Sequence, residues 1–193
     1  MNCSVQILNV KINSLKKVDL LSNNPKGILV TPNVDHLMKL QKDKEFYDIY
    51  KTADYILCDS NVLMLTSRLL GKPIVEKIAG SDFFPAYCDY YSKNEVSKRI
   101  FILGGTNELR LKKAISKINN RNEHQIIVGG YSPPFGFENS NNEIKKIIEL
   151  INSSGANVLA VGIGAPKQEK FIAHNRHKLI NIELFMAIGA TID

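Results

Sequence analysis

The chain is predicted to fold as an α/β protein, with a largely parallel sheet covered by helices on both faces, in a single domain. Short apolar, β-branched runs alternate along it with longer amphipathic ones, which implies β–α units and parallel strands. Its 193 residues, 44% of them hydrophobic, suffice for one well-buried core and are few for two. No internal repeat or low-complexity linker divides the sequence.

The elements are read in order. Val5–Val10 is a strand candidate, and Ser14–Leu21 is a helix with Ser14 as N-cap. A strand over Gly27–Val30 precedes a helical pattern over Val34–Tyr50. Tyr55–Cys58 reads as a strand, and Asn61–Leu70 as a helix capped by Asn61 and stopped by Gly71. The Ser81–Tyr91 helix takes Ser81 as its cap. Strands at Ile100–Leu103, Gln125–Val128 and Val158–Val161 are followed by helices at Asn107–Ile118, Glu143–Ile151 and Pro166–Asn175, with Asn107 a further cap. Glu183–Ile188 is the last strand.

Composition narrows the function classes. Cys3, Cys58 and Cys88 are scattered, odd in number and without metal-ligand spacing, which fits a reducing cytoplasm. No basic segment precedes an apolar stretch at the N-terminus, and no apolar run approaches the roughly 18 residues that span a bilayer. The net charge of +6 is spread over pairs such as Lys16-Lys17, Lys112-Lys113 and Lys145-Lys146, the pattern of solvated helix surfaces. A basic protein can also favour an anionic membrane surface. Nucleic acid is disfavoured, because no basic run is interleaved with aromatics. No Asp-x-Asp motif or close His/Cys/carboxylate cluster suggests a metal.

In parallel sheets ligands bind beyond the carboxyl ends of the strands, so the residues just after each strand matter most. Those are Thr31-Pro32-Asn33, Asp59-Ser60-Asn61, Gly104-Gly105-Thr106, Gly129-Gly130-Tyr131 and Gly162 to Gln168. Asp59 is the general-base candidate, since the end of an apolar strand can tune a carboxylate; the alternative is an N-cap of the next helix. Thr31 and Asn33 can orient a sugar hydroxyl, or can form a simple turn. Lys77 can neutralise a diphosphate, or be an ordinary exposed lysine. His36 reads as an ordinary helix residue. Gly104-Gly105 and Gly129-Gly130 allow close backbone approach to a nucleotide and Tyr131 can stack on its base, unless both are turns chosen for positive φ.

The run Gly162-Ile163-Gly164-Ala165-Pro166-Lys167-Gln168-Glu169 places a glycine-rich turn between a strand and a helix start, the arrangement that holds a phosphate through backbone N–H groups. A tight turn with nothing bound is the plain alternative. Lys167 stands where the third glycine of a dinucleotide fingerprint belongs, so a nicotinamide cofactor is disfavoured and no cofactor is expected.

Thr31-Pro32-Asn33-Val34-Asp35-His36, Asp59, Glu76-Lys77-Ile78-Ala79-Gly80, Phe101-Ile102-Leu103-Gly104-Gly105, Gly129-Gly130-Tyr131 and the Gly162–Glu169 run together resemble the WecG/TagA/CpsF glycosyltransferases, in order from about Thr31 to Asp193. The resemblance implies a bacterial enzyme with a Rossmann-like fold. It further implies inverting, metal-independent transfer of an N-acetylmannosamine-type sugar from a UDP donor to an undecaprenyl-diphosphate-linked acceptor at the membrane surface. Teichoic acid, common antigen or capsular polysaccharide synthesis at the inner face of the plasma membrane follows. By motif position the family's catalytic aspartate falls on Asp59 and its active-site threonine on Thr31, with Asn33 and Gln168 also at site positions. Gly162, Gly164, Pro166 and Lys167, with Lys77, are expected to face the diphosphate.

Three departures accompany the resemblance. Asp59-Ser60 replaces the usual Asp-Gly, and Glu76-Lys77 replaces Glu-Arg, which keeps the charge but loses the bidentate fork. Residues 1–193 read as the glycosyltransferase domain without the helical C-terminal segment of relatives, so weak or no transfer is expected of this form. A UDP-sugar-binding paralogue without catalysis is the alternative function. Apolar positions at Val62-Leu63-Met64-Leu65 and Leu69-Leu70 read as core, and a surplus apolar face there could serve a homo-oligomer or the membrane.

Overall fold

The computed structural model describes residues 4–94, 97–122 and 124–189; Cys3 and the tail from Ala190 to Asp193 lie outside them. Strands β3 (Gly27–Val30), β4 (Tyr55–Ile56), β5 (Ile100–Gly104), β6 (Ile127–Tyr131), β7 (Val158–Gly162) and β8 (Leu184–Ala187) form one parallel sheet in the order β4-β3-β8-β7-β5-β6. The predicted class is therefore the observed one. The inner strands are buried along their length on both faces, which explains their continuous apolar runs.

Alternate residues of each strand serve opposite layers. Val30, Leu103, Leu159, Val161, Phe185 and Ala187 meet α2 (Val34–Leu40), α3 (Lys44–Tyr50), α7 (Asn141–Ser153) and α8 (Lys167–Asn175). Leu29, Ile102, Ala160, Leu184 and Met186 meet α1 (Lys17–Ser22), α5 (Gly80–Asn94) and α6 (Glu108–Arg121). Right-handed crossovers account for this division: connections that step toward β4 lie on one face, and those that step toward β6 on the other.

Two local expectations are corrected. The run Val5–Val10 is a hairpin of β1 (Ser4–Ile7) and β2 (Val10–Asn13), paired antiparallel outside the main sheet. Its chain reverses at Leu8, which adopts φ 52°, while Val5, Ile7, Val10 and Ile12 keep one buried face and so read as a continuous apolar pattern. The Val34–Tyr50 pattern is two helices, because Asp43 caps α3 by accepting the Phe46 N–H at 2.9 Å. Leu37, Leu40, Phe46 and Tyr50 still bury together, so the periodicity survives the break.

The caps shift as well. Ser14 accepts the Val75 N–H at 3.0 Å instead of capping α1, which starts at Lys17. Ser60, rather than Asn61, caps α4 (Asn61–Leu69), and Ser81 falls inside α5. Asn107 caps α6 as expected, and Gly71 follows α4 with φ 68°. Among the apolar positions of α4, Leu63 is core while Val62, Leu65 and Leu69 form an exposed ridge. Among the described residues no helix is long and apolar enough to cross a membrane.

Candidate active site

The parallel sheet brings every carboxyl strand end to one edge. Across it run Asp59 beyond β4, Thr31 after β3, Gly189 beyond β8, Gly162 at the end of β7, Gly104 and Gly105 at the end of β5, and Tyr131 at the end of β6. Three strand spacings separate the Asp59 side from Gly162, about 14 Å along the edge. Connections leaving β5 and β7 turn to opposite faces of the sheet, so the crevice of the doubly wound fold opens between these two strands.

The acid end is built from side chains. Asp59 is held between two neighbours: its N–H donates to the Pro32 carbonyl at 3.0 Å, while the Ile78 N–H donates to the Cys58 carbonyl at 2.8 Å. Because the Ser60 hydroxyl takes the capping role toward Val62 and Leu63, the Asp59 carboxylate is spared it. Burial pushes that carboxyl up from its ordinary value; Lys77 and a hydrogen bond from the Gly80 backbone N–H pull it back, and Asp82 adds to the rise. Lys77 itself is exposed beside it. Its neighbour Glu76 accepts the Lys17 N–H at 2.8 Å, which pins this stretch to the start of α1. Gly80 leaves no room for a side chain, since a Cβ there would lie 2.7 Å from the Ile188 carbonyl oxygen.

Thr31 is buried, its hydroxyl 3.5 Å from the Ala187 carbonyl. Asn33 is engaged more fully than expected. Its Oδ1 accepts the His36 N–H at 3.1 Å, and its own N–H donates to His36 Nδ1 at 3.3 Å, closing a capping box at the start of α2. His36 is thus part of the support of this end, and burial lowers its pKa.

The glycine end is built from backbone and absent side chains. A cavity of about 380 Å³ opens there, lined by Gly105, Thr106, Phe135, Gly162, Gly164 and Lys167 among others. Gly105 and Gly164 have φ of 91° and 84°, which only glycine adopts without strain. Pro166 follows a cis peptide bond and leads into α8. Lys167 forms an ion pair with Glu138 across the cavity mouth.

The Gln168 side chain is buried and turned inward. It accepts the Gly189 N–H at 3.1 Å and donates to Glu169 Oε1 at 2.9 Å, tying α8 to the end of β8. The Gln168 N–H is taken by the Gly164 carbonyl at 3.0 Å. Glu169, which the sequence reading left without a role, is buried, and its Oε2 has no hydrogen-bond partner among the described residues. Burial pushes its carboxyl up to about 7. A carboxylate following Pro-Lys-Gln at a helix start reads as a helix-end charge, and nothing local signals its burial.

Two expectations at the far end of the edge change. Gly129 and Gly130 are not positive-φ turns; they lie within β6, where a Cβ would press on the Phe101 ring at 3.1 Å and on Ile115 at 2.9 Å, so packing already requires glycine there. Tyr131 is engaged, its hydroxyl donating to Glu143 at 2.5 Å and accepting from Lys146 at 2.6 Å, with Lys146 Nζ 4.4 Å from the ring centroid. The structure thus groups Asp59, Lys77 and Thr31 at one end and Gly104, Gly105, Gly162, Gly164 and Lys167 at the other. Asn33 and Gln168 stand behind them as supports.

Comparison with known proteins bears on this geometry. The family model described as "Glycosyl transferase WecG/TagA/CpsF family" matches residues 3–193. The chain is similar to the N-acetylglucosaminyldiphosphoundecaprenol N-acetyl-beta-D-mannosaminyltransferase of Bacillus spizizenii, with 27% identity over 173 residues, covering 90% of this chain and 63% of the relative. It is similar to the protein of the same name in Bacillus subtilis, with 28% identity over 167 residues, covering 86% and 61%. The chain spans somewhat under two thirds of the length of these relatives.

Proposed function

The chain belongs to the WecG/TagA/CpsF family of glycosyl transferases, and on that premise we propose that it transfers an N-acetylmannosamine-type sugar from a UDP donor to an undecaprenyl-diphosphate-linked sugar, with inversion. Residues 1–193 are its glycosyltransferase domain. The observation that carries the reading is the division of the edge: a burial-tuned carboxylate beside a lysine at one end, and a glycine-lined crevice at the switch point at the other.

In this reading the acceptor hydroxyl oxygen attacks the anomeric carbon from the face opposite UDP. The bond from that carbon to the β-phosphate oxygen breaks, and its electron pair leaves with UDP. Asp59 accepts the acceptor proton, and its raised pKa brings it nearer the value a general base needs. Thr31 and Asn33 belong to the sugar-binding part. Backbone groups at Gly104, Gly105, Gly162 and Gly164, with Pro166, Lys167 and Gln168 shaping the turn, face the nucleotide diphosphate without a metal; Lys77 adds positive charge from the acid side. The exposed Val62, Leu65 and Leu69 ridge of α4, next to Asp59, suits peripheral contact with the inner face of the plasma membrane, where the lipid-linked acceptor resides.

The test is calorimetric titration of UDP without added metal, followed by transfer assays with a lipid-diphosphate acceptor. Saturable binding and an inverted anomeric product are expected. Absence of UDP binding would overturn the reading.

A further inference from the structure

Phe135 is a large apolar side chain left 99% exposed, and it lines the cavity at the glycine end. Its exposure does not arise from a slack loop. Ser132 Oγ donates to the Gly105 carbonyl at 2.8 Å, and Pro133 and Pro134 each fix their φ. Beyond Phe135, Gly136 reverses the chain with φ 79°. The Phe137 N–H then donates to the Pro134 carbonyl at 3.2 Å, and the Phe137 ring is buried 6.1 Å from that of Phe171. The loop is therefore anchored on both sides and presents one aromatic ring to solvent at the mouth of the crevice. Lys167 Nζ, which is ion-paired with Glu138, lies 5.0 Å from the ring centroid, so the ring stands directly beside the charged rim of the crevice.

We propose that Phe135 is the stacking platform for the nucleobase of the donor. This rests on the reading of the crevice as a nucleotide site and names the residue that reads the base. Phe135 suits the role better than Tyr131, because its ring is open to solvent at the cavity while the Tyr131 hydroxyl is tied to Glu143 and Lys146. A flat, heteroaromatic base over the Phe135 ring leaves the diphosphate directed along the loop toward Gly105, Gly162 and Gly164, and the sugar toward Asp59. Stacking binds through the π face, so Phe135 contributes affinity for any nucleobase and discriminates weakly among them.

The experiment is calorimetric titration of UDP and, separately, inorganic pyrophosphate into the wild-type chain and the Phe135→Ala and Phe135→Trp variants. Because the side chain is exposed, both variants should keep the wild-type circular dichroism. Phe135→Ala should weaken UDP about tenfold or more, leave pyrophosphate unchanged, and remove the nuclear Overhauser contact between uracil H5/H6 and a phenylalanine ring; Phe135→Trp should retain UDP affinity. Wild-type UDP binding that Phe135→Ala leaves within twofold would overturn this proposal alone, as would an equal loss for pyrophosphate. Failure of the wild-type chain to bind UDP would overturn the crevice reading and this proposal with it.

Discussion

The acid end and the glycine end of the site edge solve different problems with different materials. At the acid end the groups that matter are side chains held by other side chains: Asp59 beside Lys77, Thr31 against β8, and Asn33 locked to His36. At the glycine end the groups that matter are backbone, made accessible by missing side chains at Gly105 and Gly164 and framed by Phe135 and Lys167. Each end has a carboxyl raised by burial. Asp59 lies where Lys77 and the Gly80 N–H moderate the rise, whereas Glu169 is enclosed at the start of α8 with one oxygen that has no partner among the described residues. Burial at an open edge leaves the raised carboxyl within reach of a ligand; the same burial in an enclosed layer makes the carboxyl a matter of stability.

The sharpest way to break this contrast is Asp59→Asn. Turnover should fall by about 10² to 10⁴ while UDP affinity, which the proposed function assigns to the other end, stays unchanged. A parallel loss of UDP affinity in calorimetry would mean that the ends are not separable. Next in size is Glu169→Gln. The folded carboxyl titrates near 7 against an ordinary 4.5, so the folded state binds more protons than the unfolded one between those values. Stability is then fullest below about pH 4.5 and falls as pH rises toward about 7. Removing the titration should make the variant more stable than wild type at pH 8 by up to roughly 3 kcal/mol. Urea midpoints measured across that range check it, and parallel pH curves for the two proteins would refute it.

Smaller effects sharpen the comparison. Lys77→Ala removes a charge that lowers the Asp59 pKa. The rising limb of the rate against pH should therefore move to higher pH, with a smaller loss of peak rate than Asp59→Asn causes. A limb that stays in place would detach Lys77 from the acid end. Tyr131→Phe deletes the hydroxyl shared by Glu143 and Lys146. It should cost about 1 kcal/mol of stability in urea denaturation and leave UDP affinity where it was, in contrast to Phe135→Ala.

Much of this arrangement is legible without coordinates. Thr31, Asp59, Gly104, Gly105 and the Gly162 turn each follow an apolar run, and in a parallel sheet that position alone sends them to one edge. Misreadings occur where a local pattern has two solutions. Val5–Val10 keeps its alternation through a hairpin turn, and Val34–Tyr50 keeps its helical period across the Asp43 cap. Gly129-Gly130 looks like a ligand-facing pair, but the Phe101 and Ile115 side chains that demand glycine there come from elsewhere in the chain. The partners of the Tyr131 hydroxyl, Glu143 and Lys146, belong to a later helix and leave no local sign.

The sequence by itself determined the fold class, the alternation of the main-sheet strands with helices and the chemistry placed at each strand end, because periodicity and turn preference act over a few neighbouring residues. Only the tertiary structure decided the strand order β4-β3-β8-β7-β5-β6, which sets Asp59 near Thr31 and the Gly105 turn beside Gly162. It also decided which carboxyl is enclosed, which amide is turned inward and which aromatic ring stays open. Those outcomes depend on side chains and backbone brought together from distant parts of the chain, where packing and desolvation choose among arrangements that local pattern leaves equivalent.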